Sequence, residues 1–335
     1  MVSSHESPAE RAKAGTHTIV TVWGDLLDDP GAGAMISAMK RFLLRFQLFQ
    51  DLREGRAQRR RRETGIGLPV IPDYPFQSVP RYGHGRAPHG PLSAILERQL
   101  DDFVAVLREF RAFGERLARI PLDAPPDASR PYWRNQYFAG LDAVSLYAFA
   151  GLYRPRQYIE VGSGNSTKFM RQAVKDHNLG TYMTSIDPKP RVEIDQLCDE
   201  VRRTRLEDVD VALFDKLAAG DMLLVDGSHR TFMNSDVTVV FLDVLPRLKP
   251  GVLIYFDDIF LPLDYPREWI DRYYSEQYLL AVELLAEGPH LEVILPCTFV
   301  RLRPQLKDLM DSMERQSGLT GAGWSWGSGF WLRRR

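Results

Sequence analysis

The sequence has 335 residues, a net charge of −1 and a hydrophobic fraction of 44%. This length allows two domains, or one large domain with an extension, and the composition is typical of a globular protein with a sizeable core. A net charge near zero gives no global indication of nucleic acid or a membrane surface as a partner. The two cysteines exclude a disulfide framework and a cysteine-rich zinc site. The N-terminal residues lack the apolar core of a signal peptide and no apolar run reaches membrane-spanning length, so we expect a cytoplasmic protein without a membrane span.

Residues 1–130 are predicted to form an N-terminal helical extension with proline-rich linkers. Apolar side chains recur at spacings of three and four in residues 38–52 and again in residues 93–120, which predicts two amphipathic helical segments. Each apolar stripe must be buried, either against the rest of its own chain or against a second subunit of a homodimer. Proline clusters at 69–91 and 121–131 oppose regular structure, and the second cluster marks the predicted domain boundary.

A run of four arginines, residues 59–62, follows the first helical segment. Its charge suits RNA or anionic lipid. No aromatic residue lies within the run to stack on a base, so a solvent-exposed helix end is the favoured interpretation. Nucleic acid is therefore not an expected partner.

After residue 131 the pattern changes to strands that alternate with helices, which is typical of a mainly parallel sheet covered on both faces. We therefore predict that residues 131–335 form a Rossmann-like α/β domain with a mostly parallel, seven-stranded sheet. Ligands of such sheets bind beyond the carboxyl ends of the strands. The predicted helices include 166–176, 235–248 and 269–287. The predicted strands are 157–161, 182–187, a weaker one near residue 201, 222–226, 252–256, 291–295 and 329–332.

The first predicted strand runs into a glycine turn, with the sequence E-V-G-S-G-N-S at residues 160–166. Gly162 and Gly164 let the backbone turn tightly and approach a ligand closely. The next helix is predicted to begin at Ser166, and its free N–H groups favour polar or anionic ligand atoms. A G-x-G turn is also a common structural corner without a ligand, so the residues downstream decide the interpretation.

Acidic residues end four of the predicted strands. A single carboxylate in that position is often the N-cap of the next helix. Because the carboxyl ends of parallel strands meet at one edge of a sheet, we expect several such acids to converge on one crevice. The acids are Glu160 in the first strand, Asp187 in the second, Asp226 in the fourth, and Asp257 and Asp258 in the fifth.

Two classes of adenosine-containing ligand compete for the predicted crevice. A dinucleotide needs a third glycine three residues after Gly164, and the presence of Thr167 at that position argues against a dinucleotide. A ligand with an adenosine but no pyrophosphate has no such need, and S-adenosylmethionine is such a ligand. Asp187, about 25 residues after the turn, is in position to accept both ribose hydroxyls. The glycine turn would then take the methionine end.

Residues 131–335 resemble a class I S-adenosylmethionine-dependent methyltransferase. The segment E-V-G-S-G matches the first motif of that superfamily, and Asp187 matches the acidic end of its second strand. The resemblance implies that the cofactor is bound by the glycine turn, by Asp187 and by Asp226. The turn residues concerned are Glu160, Gly162, Ser163, Gly164, Asn165 and Ser166.

The motif D-G-S-H at residues 226–229 points to a narrower group of enzymes than the glycine turn does. Together with the acids of the next strand end, it resembles metal-dependent O-methyltransferases of the kind that modify sugars on macrolide antibiotics. The resemblance implies that Asp226 and Asp258 are Mg²⁺ ligands, that Asp257 is a third ligand, and that His229 is the general base. In related sequences a Glu or a His can stand at the place of Asp257. The N-terminal 130 residues carry no such resemblance.

These residue types suit methyl transfer to a hydroxyl group of a small molecule or sugar. A bound divalent cation lowers the pKa of the hydroxyl and orients its oxygen, and Mg²⁺ prefers carboxylate oxygens. A histidine has a pKa near neutrality and can take the proton. Without the motif, His229 would equally be a histidine at a helix start that bonds a backbone carbonyl.

Two other functions remain open on the sequence alone. An RNA methyltransferase would use the basic residues 53–62 as its electrostatic footprint. The D-G-S-H motif, however, differs from the Asn or Asp followed by Pro-Pro and an aromatic that is usual in amino-group methylases of nucleic-acid bases. A non-catalytic S-adenosylmethionine-binding module is the other alternative, although it would not need both His229 and Asp258.

Two loops are expected to flank the crevice, residues 132–138 over the cofactor and residues 260–266 beside the acceptor. Both contain aromatic residues, which are equally expected in ordinary packing. Arg230 follows the D-G-S-H motif directly, where it can bind an acidic acceptor or cap a helix.

Overall fold

The computed structural model describes residues 78–286, 288 and 290–335. The predicted helix 38–52 and the four arginines at 59–62 lie outside these residues. Residues 78–335 form one compact unit. None of the helices in this part of the chain is long and apolar enough to cross a membrane.

A seven-stranded sheet forms the centre of this unit. Its strands are β1 (Gln157–Val161), β2 (Tyr182–Ile186), β3 (Glu200–Arg202), β4 (Met222–Val225), β5 (Leu253–Phe256), β6 (Leu291–Pro296) and β7 (Phe330–Arg334). The strand order is β3-β2-β1-β4-β5-β7-β6, in which β1 to β5 are parallel and β7 is antiparallel to both of its neighbours. The predicted Rossmann-like, mostly parallel sheet is therefore confirmed.

The register of the four central parallel strands positions the site. Val161 of β1 is paired with Ile186 of β2 and with Val225 of β4, and Val225 is paired with Phe256 of β5. The residue that follows each of these four leaves the sheet at the same level. The convergence that we predicted for the acids at the strand ends follows from this register.

Helices surround the sheet and complete its core. One of them, α4, is apolar on all sides and is buried over most of its length, as expected of a helix that lies inside a core. The helices are α1 (Gly90–Glu97), α2 (Leu100–Glu109), α3 (Gly114–Leu117), α4 (Gly140–Tyr153), α5 (Asn165–Asp176), α6 (Asp236–Val239), α7 (Glu276–Leu285), α8 (Cys297–Leu302) and α9 (Pro304–Gln316).

The predicted helix 93–120 is wrong as one continuous element. The chain forms α1, then α2, then a 3₁₀ turn at Phe110–Phe113, and then the single turn of α3. The last break falls at Gly114, the residue that also interrupts the apolar stripe in the sequence. Glycine is a poor helix former, and an α-helical turn starts afresh at this residue.

Two further predicted helices are also broken. Segment 235–248 has one α-helical turn, α6, followed by a π turn at Val240–Val244 and a 3₁₀ turn that contains Pro246, which lacks the N–H that a continuous helix needs. Segment 269–287 begins as a 3₁₀ turn at Arg267–Arg272 and stops at Tyr273, which has a φ of +54°. A left-handed residue terminates a helix, so α7 starts afresh at Glu276.

Helices α1 to α3 share their core with the sheet. Phe103 and Phe110 are fully buried in the same apolar cluster as the strands. The ring of Phe103 packs edge-on against Phe299 of α8, and that of Phe110 against Phe149 of α4, with centroids 6.0 and 5.2 Å apart. The apolar stripe of residues 93–120 is thus buried against its own chain. The predicted boundary near residue 130 therefore does not separate two cores.

Candidate active site

The glycine turn after β1 is held by two neighbouring strand ends. The N–H of Gly162 donates to the carbonyl of Ile186 at 3.0 Å, and the N–H of Asp226 donates to the carbonyl of Val161 at 2.8 Å. Gly162 has a φ of +79°, and a Cβ atom there would collide with the carbonyl of Asp226. Glycine is therefore required at this position by both its backbone conformation and the close approach.

Glu160 lies beneath the turn, with 1% of its surface exposed. Its carboxylate accepts hydrogen bonds from the hydroxyl of Tyr158 at 3.0 Å and from that of Thr167 at 2.5 Å. Burial raises the pKa of Glu160 to about 7, although these bonds oppose the shift. Thr167 also accepts from the N–H of Gly164 at 3.1 Å. The residue that stands in place of a third glycine thus ties the start of α5 to β1.

A cavity of about 350 Å³ lies beyond the carboxyl ends of β1, β2 and β4. Gly162, Ser163, Asp187 and Asp226 line it, so four of the predicted cofactor residues meet at one place. The carboxylate of Asp187 accepts from the N–H of Ser163 at 2.8 Å and from the N–H of Lys189 at 2.7 Å. A carboxylate has about four acceptor sites, so Asp187 retains capacity for ligand hydroxyls.

The predicted loop 132–138 is fixed to the start of α5. The side chain of Asn165 donates to that of Asn135 at 3.1 Å. Asn135 in turn accepts from the N–H groups of Tyr137 and Phe138 and donates to two loop carbonyls. The ring of Tyr137 is 64% exposed and lies 5.3 Å from the guanidinium of Arg191, a residue that lines the cavity. The remaining predicted cofactor residues, Gly164 and Ser166, belong to the turn and the first turn of α5, and Ser166 is buried.

The second half of the site is centred on His229, which is 2% exposed and has a φ of +58°. Its Nδ1 lies 2.8 Å from the carboxylate of Glu276. Its Nε2 lies 3.2 Å from Asp226 and 3.6 Å from Asp258. One imidazole therefore contacts three carboxylates from three different elements. This is not the bond to a backbone carbonyl that a merely structural histidine was expected to make.

The charges around His229 perturb one another. Burial alone would lower the pKa of His229, but the hydrogen bonds to Asp226 and Glu276 outweigh it and raise that pKa well above its usual value. Burial raises the pKa of Asp258 to about 6, although His229 opposes the shift. Burial also raises the pKa of Glu276. Such mutual perturbation in a buried group of acids and a histidine is common at catalytic sites.

The adjacent acids Asp257 and Asp258 have different surroundings. Asp258, with a φ of +54°, has its carboxylate beside Nε2 of His229 and accepts from the hydroxyl of Ser328 at 3.3 Å. Asp257 is 5% exposed and accepts from the hydroxyl of Tyr255 at 2.8 Å. Only Asp258 of this pair therefore joins Asp226 at the histidine.

Two carboxylates of the site are in a position to bind a divalent cation. Among the described residues, no group of three or more His, Cys, Asp or Glu side chains is arranged to hold a metal ion. Mg²⁺ needs fewer protein ligands, because it is usually bound through one or two carboxylates and keeps several waters. Asp226 and Asp258, which converge on one nitrogen atom, fit that requirement. Asp257 is directed to Tyr255 instead.

Glu276 and Tyr274 are site residues that the sequence analysis missed. The ring of Tyr274 lies 4.6 Å from that of His229, and its other neighbours include Tyr265 at 5.7 Å. The predicted continuous helix 269–287 gave neither residue a special position. The break at Tyr273 makes Glu276 the first residue of α7, where its backbone N–H and that of Ser275 also bond the carbonyl of His229.

Arg230 bridges the two loops beside His229. Its guanidinium donates to the carbonyl of Arg272 at 2.7 Å and to that of Ser228 at 3.1 Å, and it lies 5.2 Å from the ring of Tyr274. The contacts of Arg230 with described residues are thus to loop carbonyls and a ring. In the predicted loop 260–266, Phe260 and Tyr265 are buried against each other and line the same side of the site.

Comparison with protein families identifies the central part of the chain. Residues 159–259 match the family model of a methyltransferase domain. The match begins in β1 and ends just after Asp258, so it contains all of the strand ends described above. The strand order with its antiparallel β7 is the arrangement of class I enzymes. Residues 159–259 are thus a methyltransferase domain, and the sheet that contains them has the class I fold. The family to which the glycine turn and Asp187 pointed is thereby confirmed.

Solved structures resemble this methyltransferase only distantly. An O-methyltransferase from Bacillus cereus in complex with SAH is 17% identical, with a TM-score of 0.34, over 69% of this chain and 90% of that chain. The O-methyltransferase TomG from Streptomyces achromogenes, involved in tomaymycin synthesis, is 17% identical, with a TM-score of 0.34, over 68% and 88% of the two chains. Structural similarity at these levels gives no information about the chemistry of this chain. Comparison with curated proteins gives no match.

Proposed function

We propose that this methyltransferase transfers the methyl group of S-adenosylmethionine to a hydroxyl of a small molecule or sugar, with His229 as general base and Mg²⁺ on Asp226 and Asp258. The observation that carries the proposal is the position of His229, a buried imidazole held between carboxylates at the edge of the cofactor crevice. Neither RNA methylation nor a purely binding role has a comparable supporting observation among the described residues.

The cofactor half of the proposal assigns S-adenosylmethionine to the 350 Å³ cavity. Asp187 would accept the ribose hydroxyls with its remaining lone pairs, and the glycine turn would approach the methionine end. Asn165 and Asn135 would keep the loop 132–138 against the cofactor. Asp226 lines the same cavity and contacts His229, so it connects the methyl donor to the base.

In the proposed reaction, Glu276 orients the imidazole through Nδ1. Nε2, which contacts Asp226 and Asp258 in this structure, would face the acceptor hydroxyl once these two carboxylates hold Mg²⁺. The hydroxyl oxygen attacks the methyl carbon in line with the carbon–sulfur bond, and its proton passes to Nε2 of His229. The sulfonium takes the bonding pair and becomes the thioether of S-adenosylhomocysteine. The protein's main contribution is to place the oxygen behind the methyl group.

Asp226 and Asp258 are the residues that would hold Mg²⁺. When bound, the ion would lower the pKa of the acceptor hydroxyl and offset the negative charge of Asp226, which otherwise helps to raise the pKa of His229 and to keep the imidazole protonated. The acceptor molecule would pack beside Tyr274, whose ring lies next to that of His229. The homodimer and the cytoplasmic location expected from the sequence stay predictions, which size-exclusion chromatography and localisation of a tagged chain would test.

Methyl transfer from labelled S-adenosylmethionine to a panel of hydroxyl acceptors tests this function. Chelation is expected to abolish turnover, Mg²⁺ to restore it, and cofactor affinity measured by calorimetry to change little. Replacement His229→Ala should lower kcat by roughly 10²–10⁴-fold. Glu276→Gln should lower kcat by at least roughly tenfold, because the imidazole loses its orienting carboxylate.

The control for these variants is His290→Ala, which removes an exposed histidine outside the site and should leave turnover unchanged. Full activity in excess chelator would remove the metal from the mechanism. Normal turnover by His229→Ala would remove the base. Cofactor binding without transfer to any hydroxyl acceptor, but with transfer to nitrogen acceptors, would overturn the assignment as an O-methyltransferase.

A further inference from the structure

A second cavity, of about 370 Å³, lies away from the crevice and takes no part in the proposed reaction. Its walls come from α3 and the segment that follows it, from the linker near residue 130, and from the last turns of α5. Asp176, at one end of α5, is eleven residues from Asn165 at the other, which is roughly 16 Å along a helix. The two cavities therefore lie near opposite ends of α5.

Three arginines line this second cavity: Arg116, Arg119 and Arg130. Two backbone hydrogen bonds bring them together, because the N–H groups of Trp133 and Arg134 donate to the carbonyls of Pro121 and Leu122 and so close the loop that carries Arg130. None of the three guanidinium groups forms an ion pair with a described carboxylate. Each of the three guanidinium groups is therefore without a directly paired carboxylate in this part of the chain.

One acid, Asp176, lies at the cavity, and both of its carboxylate oxygens are engaged elsewhere. One accepts from the hydroxyl of Tyr147 at 2.6 Å and the other from the side-chain amide of Gln172 at 2.8 Å. These donors are neutral, so the carboxylate is fixed in place without an arginine.

Arg116 is partly oriented by His177. Its guanidinium lies 2.6 Å from Nδ1 of His177. Arginine is a donor only, so that nitrogen must accept and the imidazole must be neutral. This agrees with the direction of the pKa of His177, which burial and the charge of Arg116 hold below its usual value. The contact uses one N–H of Arg116 and leaves the others of its fork for a ligand.

We propose that this cavity binds a small phosphorylated molecule. A tetrahedral phosphate presents three outer oxygens, which suit several guanidinium groups supplied by two segments of the chain, whereas a planar carboxylate suits one fork. The described residues that line the cavity include no aromatic side chain that would stack on a base. The volume lies at the lower end of the range of small-molecule sites. These features favour a compact phosphate or sugar phosphate over a nucleotide or an RNA strand.

Calorimetric titration of the full-length protein with inorganic pyrophosphate, at an ionic strength held constant with NaCl, tests the proposal. We expect one pyrophosphate per chain. Arg119→Gln and Arg130→Gln should each weaken binding at least tenfold. The matched control is Arg108→Gln, which removes the same charge from an exposed position on α2 and should leave the affinity unchanged.

The affinity for pyrophosphate is expected to rise, not fall, when Asp176 is replaced by a neutral residue. Asp176→Asn keeps an oxygen for Tyr147 and removes the negative charge at the cavity, so pyrophosphate should bind several-fold more tightly. A merely structural disturbance would not improve affinity. S-adenosylmethionine affinity should be unchanged in Arg119→Gln and Arg130→Gln, which also shows that these variants are folded.

Several results would overturn the proposal. They are no binding at millimolar pyrophosphate, equal affinity in Arg108→Gln and Arg119→Gln, or equally tight binding of citrate, which would indicate a general anion surface. Displacement of pyrophosphate by a short single-stranded RNA of higher affinity would replace the small ligand with a nucleic acid.

Discussion

Asp187 is the residue on which the cofactor assignment most directly depends. Its carboxylate holds the N–H groups of Ser163 and Lys189 and lines the crevice at the end of β2. Replacement Asp187→Ala should weaken S-adenosylmethionine binding by about 1.5–3 kcal/mol, the scale of hydrogen bonds to a charged group. Calorimetry measures this directly. The control is Asp243→Ala at an exposed position. Unchanged affinity in Asp187→Ala would remove the ribose assignment.

Glu160 gives the turn a pH dependence of its own. Burial raises its pKa from the usual 4.5 to about 7. The folded state then binds more protons than the unfolded state between these values, so this group's contribution to the free energy of unfolding falls as pH rises through the window. At about 1.4 kcal/mol per pKa unit, the loss is at most about 3 kcal/mol.

The variant Glu160→Gln isolates this contribution, because the amide keeps the size of the side chain and does not ionise. Relative to the unmodified protein, Glu160→Gln should be more stable at pH 8 than at pH 5 by up to about 3 kcal/mol. Urea unfolding at the two pH values is the measurement, and Glu109→Gln, an exposed change on α2, is the control. If the stability difference between Glu160→Gln and the unmodified protein does not vary with pH, Glu160 is ionised throughout.

The positions of some site residues could be predicted from the sequence, and those of others could not. The acids at the strand ends were predictable, because parallel strands in register deliver the next residue to one edge whatever the loops do. Glu276 was not predictable, because its approach to His229 depends on the left-handed conformation of Tyr273. A tyrosine rarely adopts that conformation, and no local pattern in the sequence signals it.

Among the elements, the strands and α5 were predicted closely, whereas the other predicted helices in the described residues are broken. The strands β4 and β5 are continuous apolar runs bounded by polar residues, a pattern that burial on both faces imposes. The apolar positions of segment 93–120 keep a helical spacing throughout, so this spacing does not show where one helix stops and the next begins. Tertiary packing then decides where segment 93–120 breaks into α1, α2 and α3. No bounds were predicted for α4, whose apolar residues cover all sides.

The breaks also have a functional consequence at the scale of elements. A continuous helix over 269–287 would have placed Tyr274 and Glu276 on different faces, because residues two apart point about 200° from each other. The 3₁₀ turn, the left-handed Tyr273 and the new start of α7 bring both to His229. The proposed base is thus oriented by an irregularity of the chain.

In the molecule as a whole, α1 to α3 and the sheet should unfold together, because one apolar cluster contains residues of both. Phe110 is fully buried and packs on Phe149 of α4 with ring centroids 5.2 Å apart. Phe110→Ala should lower the free energy of unfolding by about 3–5 kcal/mol, the usual result of emptying an aromatic core position. Arg108→Ala, an exposed change two residues earlier in the chain, on α2, should stay within about 0.5 kcal/mol of the unmodified protein.

The way in which Phe110→Ala loses stability distinguishes a shared core from an appended one. Far-ultraviolet circular dichroism follows the helices, and near-ultraviolet circular dichroism follows buried aromatics such as Trp331 of β7. With a shared core, the unfolding midpoints from both signals should shift to the same lower denaturant concentration. With an appended core, part of the helical signal would be lost first, while the aromatic transition stayed at its original midpoint. Because Phe149 belongs to α4, which lies inside the core beside the sheet, the loss of Phe110 is transmitted to the elements that carry the glycine turn. We therefore expect S-adenosylmethionine affinity to be lost at the same denaturant concentration as both optical signals.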